Sequence, residues 1–262
     1  MINIKNIKLK LTEEDKIILN DFSLEINKGE IVVLTGKNGS GKSSLVNGIM
    51  GKPDYEIIEG RVEIIDEEYS EFVIQKAFEG EIPESIIKDD NSYRVKDFDI
   101  NKLEANQKSL AGIYLANQYP LEIPGVSLMS YLRLIYNNRL PKDKQLPVFK
   151  FKQLLNEKID LINYPKELLK RNLNEGFSGG EKKKTEILQM LMLDPKLIML
   201  DEIDSGLDKH SIKDVFGGIR KYKIANPNTT LLIITHYEKV FEFIKADRLL
   251  ELENGKVKDI AN

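Results

Sequence analysis

The sequence predicts an α/β fold built on a largely parallel sheet, and three observations predict it. The apolar runs Ile31-Val32-Val33-Leu34, Leu197-Ile198-Met199-Leu200 and Leu231-Leu232-Ile233-Ile234 have the length and composition of strands buried on both faces. Stretches with a helical period separate the later runs, the alternation expected of a sheet with helices packed on it. A glycine-rich turn follows the first run at once and opens a short amphipathic segment, giving the order strand, loop, helix.

Taken in order, residues 1–35 read as strands, with Phe22, Leu24 and Ile26 alternating with polar residues and Lys28-Gly29 making a turn. Leu45 and Ile49, four apart, mark the helix after the glycine-rich turn. Residues 66–108 carry twelve acidic against six basic side chains, and their periodicity is weak, broken by Pro83 and by Asp89-Asp90-Asn91-Ser92. Phe72, Phe78, Tyr93 and Phe98 make this stretch too apolar for a disordered tail, so the expectation is an acidic, loop-rich insertion lying against the body. From about 127 to 173 the pattern is helical, with Leu132, Ile135 and Tyr136 on one face and Leu154, Leu155, Ile159 and Ile162 on another. Helices are expected at 180–193 and 209–222, strands at 196–200 and 230–235, and a closing hairpin at 248–258 around Asn254-Gly255.

Composition excludes several function classes. The 42 acidic side chains outnumber the 39 basic ones, which argues against a nucleic-acid partner bound through its phosphate backbone. No apolar run approaches the ~18 residues of a membrane span, so no membrane partner contact through a span is expected. Ile2, Ile4 and Ile7 alternate with Asn and Lys, which is not the hydrophobic block of a secretion signal. The expected location is the cytoplasm, or an organellar stroma or matrix in a eukaryote. With no cysteine, the chain holds no disulfide, no thiol nucleophile and no cluster on its own thiolates.

Gly36-Lys37-Asn38-Gly39-Ser40-Gly41-Lys42-Ser43, followed by Ser44, matches the phosphate-loop pattern G-x-x-x-x-G-K-[ST] at every fixed position. The glycines let successive N–H groups turn inward as an anion nest at a helix N-terminus. Lys42 adds a mobile cation for the β- and γ-phosphates, and Ser43 offers a hydroxyl to Mg²⁺. Leu197–Leu200 ends in Asp201 and Glu202, of which the Asp suits Mg²⁺ and the Glu a general base on attacking water. Alone, those two carboxylates would equally read as a solvated acidic corner. His236 ends the last apolar run, where parallel sheets gather ligand contacts, although in isolation it reads as an edge histidine. His210 has no such context.

Phe177-Ser178-Gly179-Gly180-Glu181 opens a helix some twenty residues before the apolar-Asp-Glu strand, and so resembles the signature loop of ATP-binding-cassette (ABC) ATPases. In the same family pattern Gln118 is similar to the Q-loop glutamine, Ser205-Gly206-Leu207-Asp208 to the D-loop, and His236 to the H-switch. Several stretches resemble more closely the SufC family, the ATPases of the Suf iron–sulfur cluster assembly system. They are Gln118–Val126 with Tyr131-Leu132-Arg133-Leu134, Asn174–Lys183, Glu186–Met190, Asp204–Asp208, Thr235-His236-Tyr237 and Ile49-Met50-Gly51. Read alone, Lys182-Lys183-Lys184 is a solvated helix face.

The resemblance implies an ABC ATPase fold: a P-loop, RecA-like mixed sheet core, an N-terminal antiparallel β part and a helical signature subdomain. One domain, 1–262, is then expected, with 1–65 and 185–262 as catalytic core, 66–117 as acidic insertion and lead to the Q-loop, and 118–184 as Q-loop and helical part. It implies ATP and Mg²⁺ as cofactors. Glu202, His236 and Lys42 would be catalytic, and Ser43, Gln118 and Asp201 would be metal-facing. Gly36, Lys37, Asn38, Gly39, Ser40, Gly41, Lys42, Ser43 and Ser44 would bind nucleotide. Ser178, Gly179, Gly180 and Asp208 would meet nucleotide across a second copy of the chain. The implied partners are SufB- and SufD-like scaffold proteins, and the implied function is ATP hydrolysis that drives conformational change in a scaffold complex. The nucleotide-binding subunit of a membrane transporter shares every catalytic motif and stands as the alternative. Residues 1–21 contain no aromatic, so the ring that many ABC proteins stack on adenine is absent there.

Overall fold

The structure, a computed structural model, describes residues 2–79, 81–89, 92–236 and 238–260. Two strands, β1 (Ile2–Leu11) and β2 (Lys16–Ile26), form an antiparallel pair. Strand β3 (Ile31–Thr35) leaves them for a second sheet and delivers the chain through the glycine-rich turn into α1 (Lys42–Met50). The chain then returns along β4 (Tyr55–Ser70), beside β1, and continues through α2 (Glu71–Ala77), β5 (Ile86–Lys88), β6 (Ser92–Asp99) and α3 (Ala105–Leu110). After β7 (Ile113–Ala116) comes a helical region with β8 (Ile123–Ser127), α4 (Leu128–Asn137), α5 (Val148–Leu161) and the short β9 (Asn172–Leu173). The remainder alternates: α6 (Gly179–Leu193), β10 (Leu197–Asp201), α7 (Lys209–Ala225), β11 (Thr230–Ile234), then the hairpin β12 (Arg248–Glu253) and β13 (Lys256–Asp259).

Two sheets result, ordered β2-β1-β4-β6-β5 and β13-β12-β3-β11-β10-β7. The first is antiparallel, and the second is parallel except for its edge strand β13. Successive side chains of the parallel strands point to opposite faces and so enter two separate cores. Val32 and Leu34 join Leu45, Val46 and Ile49 of α1 and the inner face of the antiparallel sheet. Val33, Ile198, Leu200, Leu231 and Ile233 join the helical side built from α4 to α7. A strand with apolar residues on both faces is thus the cost-free solution for a sheet covered on both sides.

The acidic stretch corrects the expectation drawn from its sequence. It is not loop-rich but supplies β5, β6, two helices and the last five residues of β4, so the boundary drawn at 65/66 falls inside a strand. Burial along β4 switches from the even positions Val62 and Ile64 to the odd positions Glu67 and Tyr69, which erases the two-residue period. Buried carboxylates mask it further: Glu63 pairs with Lys5 at 2.7 Å, and Glu67 with Lys28 and Lys196, each at 3.2 Å. Phe98 packs edge-on against Phe78 with ring centroids 4.8 Å apart and belongs to the first core. Phe98→Ala is therefore expected to cost about 3–5 kcal/mol, measured by urea unfolding. A loss under about 1 kcal/mol, within the range of surface substitutions, would mean the stretch is a detachable elaboration. Asp90, Asn91 and Tyr237, which figured in the sequence patterns, lie outside the described residues. Among the described residues no helix is long and apolar enough to cross a membrane.

Candidate functional site

The parallel strands end side by side, and the chemistry-bearing residues stand at those ends. Thr35 ends β3, and Gly36 follows with φ 138°, a conformation open to glycine. A Cβ there would lie 2.4 Å from the Leu252 carbonyl, so the turn also needs the missing side chain. Gly39 and Gly41 are likewise left-handed, and Gly39 has nothing within 4 Å of where a Cβ would stand. Helix α1 starts at Gly41 without a side-chain cap and with no acidic residue in its first turn. Its free N–H groups and positive dipole end therefore remain available to an anion.

Lys42 is buried, its ammonium donating to the carbonyls of Gly36 at 2.8 Å and Lys37 at 3.0 Å. Burial pulls its pKa below the ordinary lysine value, against the opposing pull of Glu202 and Asp201. Ser43 donates to Asp201 Oδ1 at 2.8 Å, which brings the first turn of α1 to the end of β10 across 158 residues of chain. Burial holds the Asp201 carboxyl above the usual range, and the Ser43 bond works against it. A phosphate group beside Lys42 and a divalent cation beside Asp201 would each offset these desolvation costs. The donors that meet here, the Ser43 hydroxyl and the Asp201 carboxylate, are the hard oxygen ligands that Mg²⁺ takes. The residues present fit a magnesium-bound triphosphate.

Glu202 follows β10 with φ 47°, a left-handed conformation that costs a non-glycine residue of order 1–2 kcal/mol. The strain is held by the Glu202 N–H, which donates to the Ile234 carbonyl at 3.0 Å. Gln118, two residues past β7, donates from Nε2 to Glu202 Oε2 at 2.7 Å. His236 Nε2 lies 3.4 Å from Glu202 Oε1. Strand ends β7, β10 and β11 thus converge on one carboxylate. Behind it Thr235 donates to Asp204 Oδ2 at 2.9 Å, which ties the end of β11 to the loop after β10.

Ser178, Gly179, Gly180 and Asp208 are not brought to the phosphate loop within this chain: among the described residues no hydrogen bond links them to it. Ser178 caps α6 reciprocally with Glu181, at 3.3 Å and 2.7 Å, and both Ser178 and Gly179 are exposed. Asp208 caps α7 by accepting from the N–H groups of His210 and Ser211, bonds that hold its carboxyl below the usual range. A Cβ at Gly180 would touch Leu207 and Ser211 at 3.6 Å, so signature turn and D-loop form one exposed surface.

The lysine run also needs correction, since it is not a solvated face. Lys183 is buried and donates to the Glu202 carbonyl at 3.0 Å, to Ser205 Oγ at 3.1 Å and to the Ser205 carbonyl. Lys184 pairs with Asp214 at 2.7 Å and Lys182 with Glu122 at 2.6 Å. A second residue absent from the sequence candidates is Glu186, buried in α6 and bonded to the backbone of Asn117, the residue before Gln118. Its signal was available: Lys183, Glu186 and Gln189 fall at helical spacing on the stripe that carries Ile187 and Met190.

Burial pushes the Glu186 carboxyl up to about 7, although bonds from Asn117, Gln189 and Tyr114 draw it down. The folded state then holds this proton more tightly than the unfolded state, so stability falls as pH rises from the ordinary glutamate value toward 7. Glu186→Gln is expected to flatten that part of the curve, read as the Tm difference between variant and wild type from pH 4.5 to 8.

The family model described as "ABC transporter" matches residues 19–205. Over 98% of its length the chain is 40% identical to the Synechocystis sp. "Probable ATP-dependent transporter slr0075", spanning 88% of that relative. It is 36% identical to the Escherichia coli "Probable ATP-dependent transporter SufC", again over 98% of the chain and 90% of the relative. The "Probable ATP-dependent transporter ycf16" of Trieres chinensis is 38% identical over 98% of the chain and 89% of its own. Among solved structures, the ATP-binding cassette MJ0796 in its ADP- and Pi-bound dimer superposes with a TM-score of 0.73 at 20% identity, covering both chains fully. That likeness establishes the cassette fold.

Proposed function

We propose that this chain, which belongs to the ABC transporter family and to its SufC/ycf16 branch, spends ATP hydrolysis on conformational change in a complex that assembles iron–sulfur clusters. It is an ABC-type ATPase with a nucleotide-binding cassette. The convergence of Gln118 and His236 on Glu202, beside the Ser43–Asp201 pair, supports the hydrolytic part of the reading, and the likeness to SufC and ycf16 proteins over 98% of the chain supports the rest.

In this reading residues Gly36 to Ser44 cradle the phosphates and Lys42 leaves its loop carbonyls to bridge the β- and γ-phosphates. Ser43, Asp201 and Gln118 would hold Mg²⁺, which when bound would neutralise charge developing on the phosphates. Gln118 occupies Glu202 Oε2, leaving Oε1 to take a proton from the attacking water. His236, beside Oε1, orients that water and the γ-phosphate. Ser178, Gly179, Gly180 and Asp208 present their exposed surface to the nucleotide of a second copy, so one chain carries two half-sites. The partners are SufB- and SufD-like scaffold proteins, which raise the effective concentration of two copies by holding them together.

Affinity capture of the chain from its own cell extract, followed by mass spectrometry, tests the assignment. Soluble scaffold proteins are the expected partners, and a membrane permease in their place would move the chain to the transporter branch. Sedimentation is expected to give a monomer without nucleotide and a dimer for Glu202→Gln with ATP and Mg²⁺. A stable nucleotide-free dimer with fast basal turnover would contradict the two-half-site arrangement.

A further inference from the structure

Glu186 is a carboxyl group buried in the middle of α6. It accepts from the backbone N–H of Asn117 at Oε2 over 3.3 Å and from Gln189 Nε2 at Oε1 over 3.1 Å. Tyr114 donates to the Glu186 carbonyl at 2.8 Å and lies 3.5 Å from Oε2. Tyr131, on α4, donates in turn to Gln189 Oε1 at 3.3 Å.

These bonds meet at one segment. Strand β7 ends at Ala116, and Asn117 is the first residue without a ladder partner. The next residue is Gln118, whose side chain holds Glu202. The N–H of Asn117 is the last backbone group fixed before that side chain, and the atom that fixes it comes from α6. Tyr114, Tyr131 and Gln189 also line an open cavity of about 620 Å³ bounded by α2, α3, β7, α4 and α6. Burying a carboxyl group is costly even when it is hydrogen-bonded, and carboxyl groups perturbed by burial cluster at functional sites.

We propose that Glu186 is a positioning residue for the hydrolytic site: by holding the Asn117 backbone it sets where Gln118 stands against Glu202. The proposal rests on the hydrolytic reading of Glu202. The side-chain bonds of Glu186 go to Asn117, Gln189 and Tyr114, and none of them goes to the phosphate loop or to Glu202. It acts through the end of β7, so its removal loosens Gln118 while leaving the phosphate loop as it is. Misplacement by about 1 Å of a group that orients reactants can lower turnover up to about 10²-fold.

The test uses Glu186→Ala, Glu186→Gln, Gln118→Ala and the Glu186→Ala/Gln118→Ala double variant of the full chain. Amide hydrogen exchange over residues 113–118, measured without nucleotide, is expected to rise in Glu186→Ala. It should stay near wild type in Glu186→Gln, which keeps one acceptor oxygen for Asn117 and replaces a carboxyl already part-neutral at pH 7. ATP turnover should fall in Glu186→Ala with the dissociation constant of ATP unchanged, and Glu186→Gln should restore most of it. In the Gln118→Ala background Glu186→Ala should cost nothing further, because both act through the same side chain. Unchanged exchange at Asn117, or an equal additional loss in both backgrounds, would overturn the proposal. A wild-type chain without ATP turnover would instead overturn the hydrolytic reading beneath it, an outcome distinct from a failure of Glu186, which leaves wild-type turnover intact.

Discussion

Glu202→Gln is expected to lower ATP turnover roughly 10²–10⁴-fold while nucleotide affinity stays at the wild-type level. The amide has the shape of the carboxylate, so the left-handed backbone at φ 47° and the bond from Glu202 N–H to Ile234 should persist. Gln118 donates to one oxygen of residue 202, and in the variant the amide oxygen must turn to accept that bond. The amide NH₂ then faces His236 and the place of the attacking water, where it can donate but cannot take a proton. Single-turnover kinetics separate this from a folding defect. Turnover within a few-fold of wild type, with saturating ATP and partner scaffold present, would remove Glu202 from the chemistry.

Lys42→Ala is expected to remove productive ATP binding. A charge-assisted hydrogen bond contributes about 1.5–3 kcal/mol, so two of them, one to each of two phosphates, correspond to about two to four orders of magnitude in affinity. The side chain is desolvated in its loop, and burial pulls its pKa down. Losing it should therefore leave the nucleotide-free fold intact. Titration calorimetry with ATP and Mg²⁺ reads the affinity, and the Tm without nucleotide reads the fold. Near-normal affinity in a folded variant would mean that residues 36–43 connect a strand to a helix and do no more.

Much of this protein is legible one-dimensionally. The parallel strands follow from apolar runs, because a strand covered on both faces must be apolar at every position. The helices follow from their period, and the phosphate loop follows from a spacing of glycines and lysine that only a tight anion nest requires. Asp201, Glu202 and His236 were readable as candidates because strand ends in such sheets collect ligand contacts. The acidic stretch was not readable as strands, since burial changes phase where β4 enters it and its inward positions include Glu67, neutralised by lysines far away in the chain.

The same reason hid Lys183 and Glu186. A charged residue on a helix reads as solvated unless its partner is known, and their partners lie in other elements: the carbonyls of Glu202 and Ser205, and the N–H of Asn117. Sequence alone determined the identity of the parts, because chemistry and period are local properties. Only the tertiary structure decided which charges are buried and which carboxylate Gln118 and His236 share, because desolvation and hydrogen-bond geometry depend on segments brought together across 19 to 84 residues of chain.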